Sequence, residues 1–167
     1  ATYKGTIAII DEATEQVTAE ISLTSGIPGE LTLSDDRTRF YVQDIAYEKV
    51  EIVDRVNRKS LESFTLSSGN TKTRIWGLQP DPKDRYLILT IRDYTLHDDR
   101  WEIGPTKLVQ FDLATKKITR TIPWPKGEER DGAGVIFSPD GKLMYLFVDE
   151  ILIYETEKFT EVDKWDL

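Results

Sequence analysis

Four short alternating strands each close on an acid, at Asp11, Asp54, Asp112 and Glu155. They read Thr6-Ile7-Ala8-Ile9-Ile10-Asp11, Lys49-Val50-Glu51-Ile52-Val53-Asp54, Lys107-Leu108-Val109-Gln110-Phe111-Asp112 and Glu150-Ile151-Leu152-Ile153-Tyr154-Glu155. The closing acids are 43, 58 and 43 residues apart, and the long interval exceeds the others by 15 residues. That difference is the size of one loop insertion in an otherwise fixed period. A polar turn and a further short strand follow each acid, so its side chain is expected to cap the turn by accepting backbone N–H groups.

A second unit precedes three of the four. In Gly134-Val135-Ile136-Phe137-Ser138-Pro139-Asp140-Gly141-Lys142-Leu143-Met144-Tyr145-Leu146 an apolar run enters a tight turn and a second apolar run leaves it. Pro139 is preset for the first corner, Asp140 can bond nearby backbone and Gly141 accepts positive φ. Weaker copies run from Leu31-Thr32-Leu33-Ser34-Asp35-Asp36 to Arg39-Phe40-Tyr41-Val42 and from Gly77-Leu78-Gln79-Pro80-Asp81-Pro82 to Arg85-Tyr86-Leu87-Ile88-Leu89. A period of about 40–50 residues made of four strands is the pattern of a β-propeller blade.

Helical periodicity is nowhere sustained, so the chain is read as all-β, built of four-stranded antiparallel blades. Residues 1–26 supply an outer half-blade, 27–70 a blade, 71–126 a blade with a rim insertion at 91–105, and 127–167 a last blade. Fourteen strands make about three and a half blades, half of a seven-bladed ring. An arc of that kind leaves two blade faces uncovered and is expected to associate through apolar surface and open strand edges. Phe137 and Tyr145 are expected to be buried, because a blade between two others buries both faces.

Composition excludes several functions. Thirty acids against 22 bases give a net charge of −8, which argues against nucleic acid as a partner, because phosphate contacts need clustered Lys and Arg. The absence of cysteine rules out disulfides, thiolate metal sites and thiol nucleophiles within these 167 residues. No 18-residue apolar run is present, so no membrane-inserting helix is encoded. The first residues, Ala1-Thr2-Tyr3-Lys4, read directly into a strand without a signal peptide.

The phrases Phe137-Ser138-Pro139-Asp140-Gly141-Lys142, Phe40-Tyr41-Val42 and Ile9-Ile10-Asp11 resemble the repeat of YVTN-type propellers. The acidic and aromatic insertion from Tyr94 to Ile103, running into Gly104-Pro105-Thr106-Lys107, is similar to the long third blade of the β subunit of quinohemoprotein amine dehydrogenase. The likeness spans these residues as the N-terminal half of that seven-bladed subunit. It implies a periplasmic or secreted protein, and a subunit that carries no cofactor and works beside partner chains that do. No catalytic, cofactor-binding or metal-binding residue is transferred by it.

The residues themselves point to an interface before a reaction. His97, the only histidine, sits among carboxylates in Asp93-Tyr94-Thr95-Leu96-His97-Asp98-Asp99-Arg100-Trp101-Glu102. Flanking acids would favour its charged form, but one imidazole cannot make a catalytic zinc site. Asp98-Asp99 and Asp35-Asp36 lack the spacing of a calcium loop, and Gly132-Ala133-Gly134 lacks the Lys-Ser or Lys-Thr of a phosphate loop. Trp76 is expected in the core, on an inner strand. Trp101 and Trp124 are expected in loops, where an aromatic beside charges suits a partner interface. The candidate interface is therefore Tyr94, His97, Arg100, Trp101 and Trp124. The expected partners are other protein chains or the remaining half of the same ring.

Overall fold

The computed structural model describes residues 3–127 and 129–166, and of Lys126 only the backbone. Among them are fourteen strands and no α-helix. β1 (Thr6–Asp11) and β2 (Gln16–Ser22) form a two-stranded sheet. β3 (Pro28–Leu33), β4 (Arg39–Asp44), β5 (Lys49–Asp54) and β6 (Lys59–Thr65) follow as a four-stranded meander. β7 (Thr71–Pro80), β8 (Tyr86–His97), β9 (Arg100–Asp112) and β10 (Lys117–Ile122) form the third sheet. A single 3-10 turn at Pro125–Gly127 leads to the fourth: β11 (Gly134–Phe137), β12 (Leu143–Phe147), β13 (Ile151–Glu155) and β14 (Thr160–Trp165). All pairings are antiparallel, and the sheets do not close into a ring.

Three cores lie between successive sheets. Ile7 and Ile21 of the first pack on Val42 and Val53 of the second. Tyr41, Val50 and Ile52 of the second pack on Ile75, Leu87, Leu89, Ile91, Val109 and Phe111 of the third. Tyr86, Ile88 and Leu108 of the third pack on Phe137, Met144, Leu146, Leu152 and Tyr154 of the fourth. The two middle sheets are thus buried on both faces, which is why β8 opens on the continuous apolar run Tyr86-Leu87-Ile88-Leu89 instead of strict alternation.

The turns explain the repeat. In the fourth sheet the Ser138 hydroxyl donates to Asp140 at 2.7 Å and accepts the Leu143 amide at 3.0 Å, while the Gly141 amide reaches the Ser138 carbonyl at 2.8 Å. Ser34, Asp36 and Arg39 repeat this arrangement in the second sheet. In the third, Asp81 takes the serine's place and holds Arg85 through two bonds of 2.7 and 2.8 Å. Gly141 lies at φ 71°; Arg37 and Asp84 occupy the same left-handed corner at 57° and 54° without glycine.

The four closing acids cap their turns as expected. Asp11 accepts the Thr14 amide, Asp54 the Asn57 amide and Asp112 the Thr115 amide, at 2.7 to 2.8 Å. Glu155 accepts from the amides of Glu157, Lys158 and Thr160 and from the Thr160 hydroxyl. The Thr160 hydroxyl, then the Lys158 amide, hold its carboxyl down at about 2, against an ordinary 4.5. A depressed folded value gives stabilisation that is complete above the ordinary value and fades as pH falls through the folded one. An NMR titration should place the Glu155 midpoint near 2, and Thr160→Val should move it toward 4.5. A wild-type midpoint at 4.5 would show that this turn is open in solution.

The structure corrects two burial expectations. Trp76 is 41% exposed, not core: it shares the side of β7 that carries Lys72 and Arg74, opposite the buried Thr73 and Ile75, and its ring meets Tyr47 with centroids 5.0 Å apart. Tyr145 is only half-buried, tilted against Trp165 at 5.8 Å. Its side of the fourth sheet has no sheet packed on it, whereas Phe137 faces the third sheet and is buried.

Candidate functional site

The 15-residue excess is regular structure. β8 and β9 run 12 and 13 residues where β4 and β5 run 6 each, and they pair up to His97↔Arg100 around an Asp98-Asp99 turn. β10 pairs only with Leu108–Asp112, so the hairpin extends past it. β7 follows on the other side, pairing Thr71↔Thr95, Lys72↔Tyr94 and Arg74↔Arg92. The result is a three-stranded projection. Its inner edge is satisfied locally: the Thr73 amide donates to the Ser67 hydroxyl and the Ile75 amide to the Tyr47 carbonyl.

Residues directly opposite across an antiparallel pair share a face. The pairs Lys72↔Tyr94, Tyr94↔Ile103 and Leu96↔Trp101 therefore build one surface of cations, aromatics and aliphatics. On it the Arg74 guanidinium lies 5.0 Å from the Tyr94 ring centroid and 5.7 Å from that of Trp76, and the Lys72 ammonium 6.0 Å from Trp101. Lys72 also pairs with Glu48 at 3.3 Å. Trp76, Trp101 and Ile103 are exposed.

The opposite face is polar. Thr95, His97, Arg100 and Glu102 lie there, with His97 Nε2 3.1 Å from Glu102. Toward the base Asp93 accepts the Thr73 hydroxyl at 2.6 Å and the Lys107 ammonium at 2.8 Å. Burial pushes the Asp93 carboxyl up, and the Lys107 and Thr73 hydrogen bonds outweigh it, leaving a net lowering. Asp93 and Lys107 therefore pin the hairpin as an ion pair.

The five sequence candidates thus separate. Tyr94 and Trp101 come together on the aromatic face; His97 and Arg100 lie on the reverse. Trp101 is a strand residue and not a loop residue, since the insertion pairs along its length. Trp124 belongs to neither group: it is partly buried in the core between the third and fourth sheets, and its indole N–H donates to the Thr106 carbonyl at 2.8 Å. It anchors the connection and lies apart from the aromatic face. Lys72, Arg74, Trp76 and Ile103 are additions. Their only sequence signal was the alternation Lys72, Arg74, Trp76 on β7, which does not say which strand faces them.

The surface offers cation–π and apolar contacts. Asp36, one of the paired acids, is occupied in its turn by the Ser34 hydroxyl and the Thr38 amide. Among the described residues no three His, Asp or Glu side chains converge as metal ligands. Exchanging Thr95–Glu102 for Asn-Gly, which suits a two-residue hairpin, should leave the β signature in circular dichroism nearly unchanged and cost about 1 kcal/mol or less. Unfolding of that variant would make the hairpin part of the core. Comparison with protein-family models and with curated proteins finds no match to this chain, so residues and geometry carry the functional reading.

Proposed function

We propose that the four sheets are successive blades of a YVTN-type β-propeller, about three and a half blades of a seven-bladed ring, and that the chain serves as a non-catalytic scaffold or protein-interaction module. The observation that carries this reading is one position seen three times. Tyr41, Ile88 and Tyr145 stand at the same distance from their turns, after Ser34, Asp81 and Ser138. Tyr41 and Ile88 are at most 1% exposed because the following sheet covers them. Tyr145 is half-open, and around it Ile136 and Trp165 are 53% and 52% exposed. A face with the register and apolar character of a blade interface is fitted to receive another blade, from the remainder of the ring or from another chain.

Light scattering on freshly purified protein tests it. The chain should associate, and Tyr145→Glu or Trp165→Glu should return it to the mass of one chain by placing a charge where apolar surface is buried. A stable, non-associating wild-type monomer with a cooperative melt would defeat the half-propeller reading.

A second reading rests on the insertion, which forms a projecting surface. It takes the chain as the cofactor-free propeller subunit of a periplasmic amine dehydrogenase of the quinohemoprotein type, active only with partner subunits. Turnover of an amine with an artificial electron acceptor, or co-purification with a haem protein, would favour it over the scaffold.

A further inference from the structure

We propose that the aromatic face of the β8–β9 hairpin binds an extended, acidic segment of a partner protein, with a carboxylate on Arg74 and apolar side chains against Trp101 and Ile103. This deepens the interaction-module reading and rests on it. The argument begins with Arg74. Its guanidinium is held between the Tyr94 and Trp76 rings. Among the described residues it has neither an ion pair nor a hydrogen-bond partner. Five N–H donors in a fixed fork are thus unspent, on a group whose orientation two rings already restrict. A carboxylate or a phosphate matches this fork in charge and in geometry.

The surroundings select the rest of the ligand. Lys72 adds a second positive charge on the same face, only partly neutralised by Glu48. Trp101 and Ile103 leave 49% and 59% of their surface exposed, on β9, which is paired to β8. The net charge of −8 opposes every polyanion, and a phosphate backbone with one charge per nucleotide most of all, so a sparsely charged anion suits this face. A protein segment with carboxylates spaced between apolar side chains meets Arg74 with few charges and covers Trp101 and Ile103 as well, whereas a nucleic acid brings its phosphates at full density.

The four indole N–H signals allow a direct test in the intact, isotope-labelled chain. Trp76 and Trp101 flank the surface, Trp124 lies in the core by Thr106, and Trp165 reports on the open face of the fourth sheet. The probe is an acetylated, amidated peptide of repeating Val-Val-Glu-Glu, which when extended presents both side chains on each face, titrated to millimolar concentration. It should shift Trp76 and Trp101 and leave Trp124 and Trp165 in place. Arg74→Gln should weaken binding by about 10- to 100-fold, the worth of one charged hydrogen bond, with the rest of the spectrum unchanged as proof of folding. Trp101→Ala should weaken it as well. Absence of shifts, an equal response to the Val and Lys counterpart, or stronger binding of an oligo-dT single strand would each overturn the proposal. If the peptide fails while Tyr145→Glu still abolishes association, only this ligand class is lost and the module reading stands.

Discussion

Phe111→Ala should lower the stability of the chain by about 3–5 kcal/mol, a large part of the roughly 5–15 kcal/mol typical of a folded domain. Phe111 is 1% exposed in the core between the second and third sheets. Its ring stacks on Phe64 at 4.3 Å and 16°, so one side chain ties the outer strand of the second sheet to the third. Removing it deletes apolar contacts on both sides and leaves a cavity that two rigid sheets cannot close. Phe137→Ala should behave similarly, since Phe137 is buried and meets Tyr86 edge-on at 6.1 Å. Tyr145→Ala should cost clearly less, because its ring is half in solvent. Urea unfolding checks all three: midpoints should drop in the order Phe111, Phe137, Tyr145 with little change in slope. An unmoved midpoint for Phe111→Ala would mean that the second and third sheets are not packed together in solution.

The other large effect is expected at Glu51, a charged residue with no exposed surface in the middle of β5. Its carboxylate accepts the Thr24 amide through both oxygens at 2.9 Å and the Ser25 amide at 2.7 Å. It therefore fastens the link between the two-stranded sheet and the second sheet. Burial pushes the Glu51 carboxyl up, and the hydrogen bonds from Ser25, Ser60 and Thr24 outweigh that, leaving it below the ordinary glutamate value. Glu51→Ala strands two amides as well as removing charged bonds, each worth about 1.5–3 kcal/mol, so a loss of about 3 kcal/mol is expected. Glu51→Gln keeps the shape and loses the charge, with a smaller cost at neutral pH. The sign of the pH effect follows from the lowered value: the carboxylate stabilises fully above about pH 4.5 and progressively less below it. The gap between wild type and Glu51→Gln should accordingly shrink between pH 6 and pH 3. A gap that stays constant would show that the charge of Glu51 does not hold the link.

What could be read from the chain alone was local. Turn and strand positions follow from alternation, from Pro139 and Gly141, and from acids that bond amides two to five residues on. Such interactions are made within a few residues, so the sequence contains both partners side by side. The closing acids at 11, 54, 112 and 155 all cap as expected for this reason, and the long 58-residue interval brackets the elongated β8 and β9. Tertiary structure decided which faces are covered. Trp76 sits in a strand as its neighbours do, yet its side of β7 has no sheet over it; Trp124 sits in a connection, yet a carbonyl 18 residues earlier and the core of two sheets hold it. Arg74 reads as an ordinary exposed arginine until the register of β7 on β8 sets it between Tyr94 and Trp76. The register of distant strands depends on the packing of whole sheets, and a side chain's surroundings depend on that register. That is why the sheets were legible in the sequence and the surface they present was not.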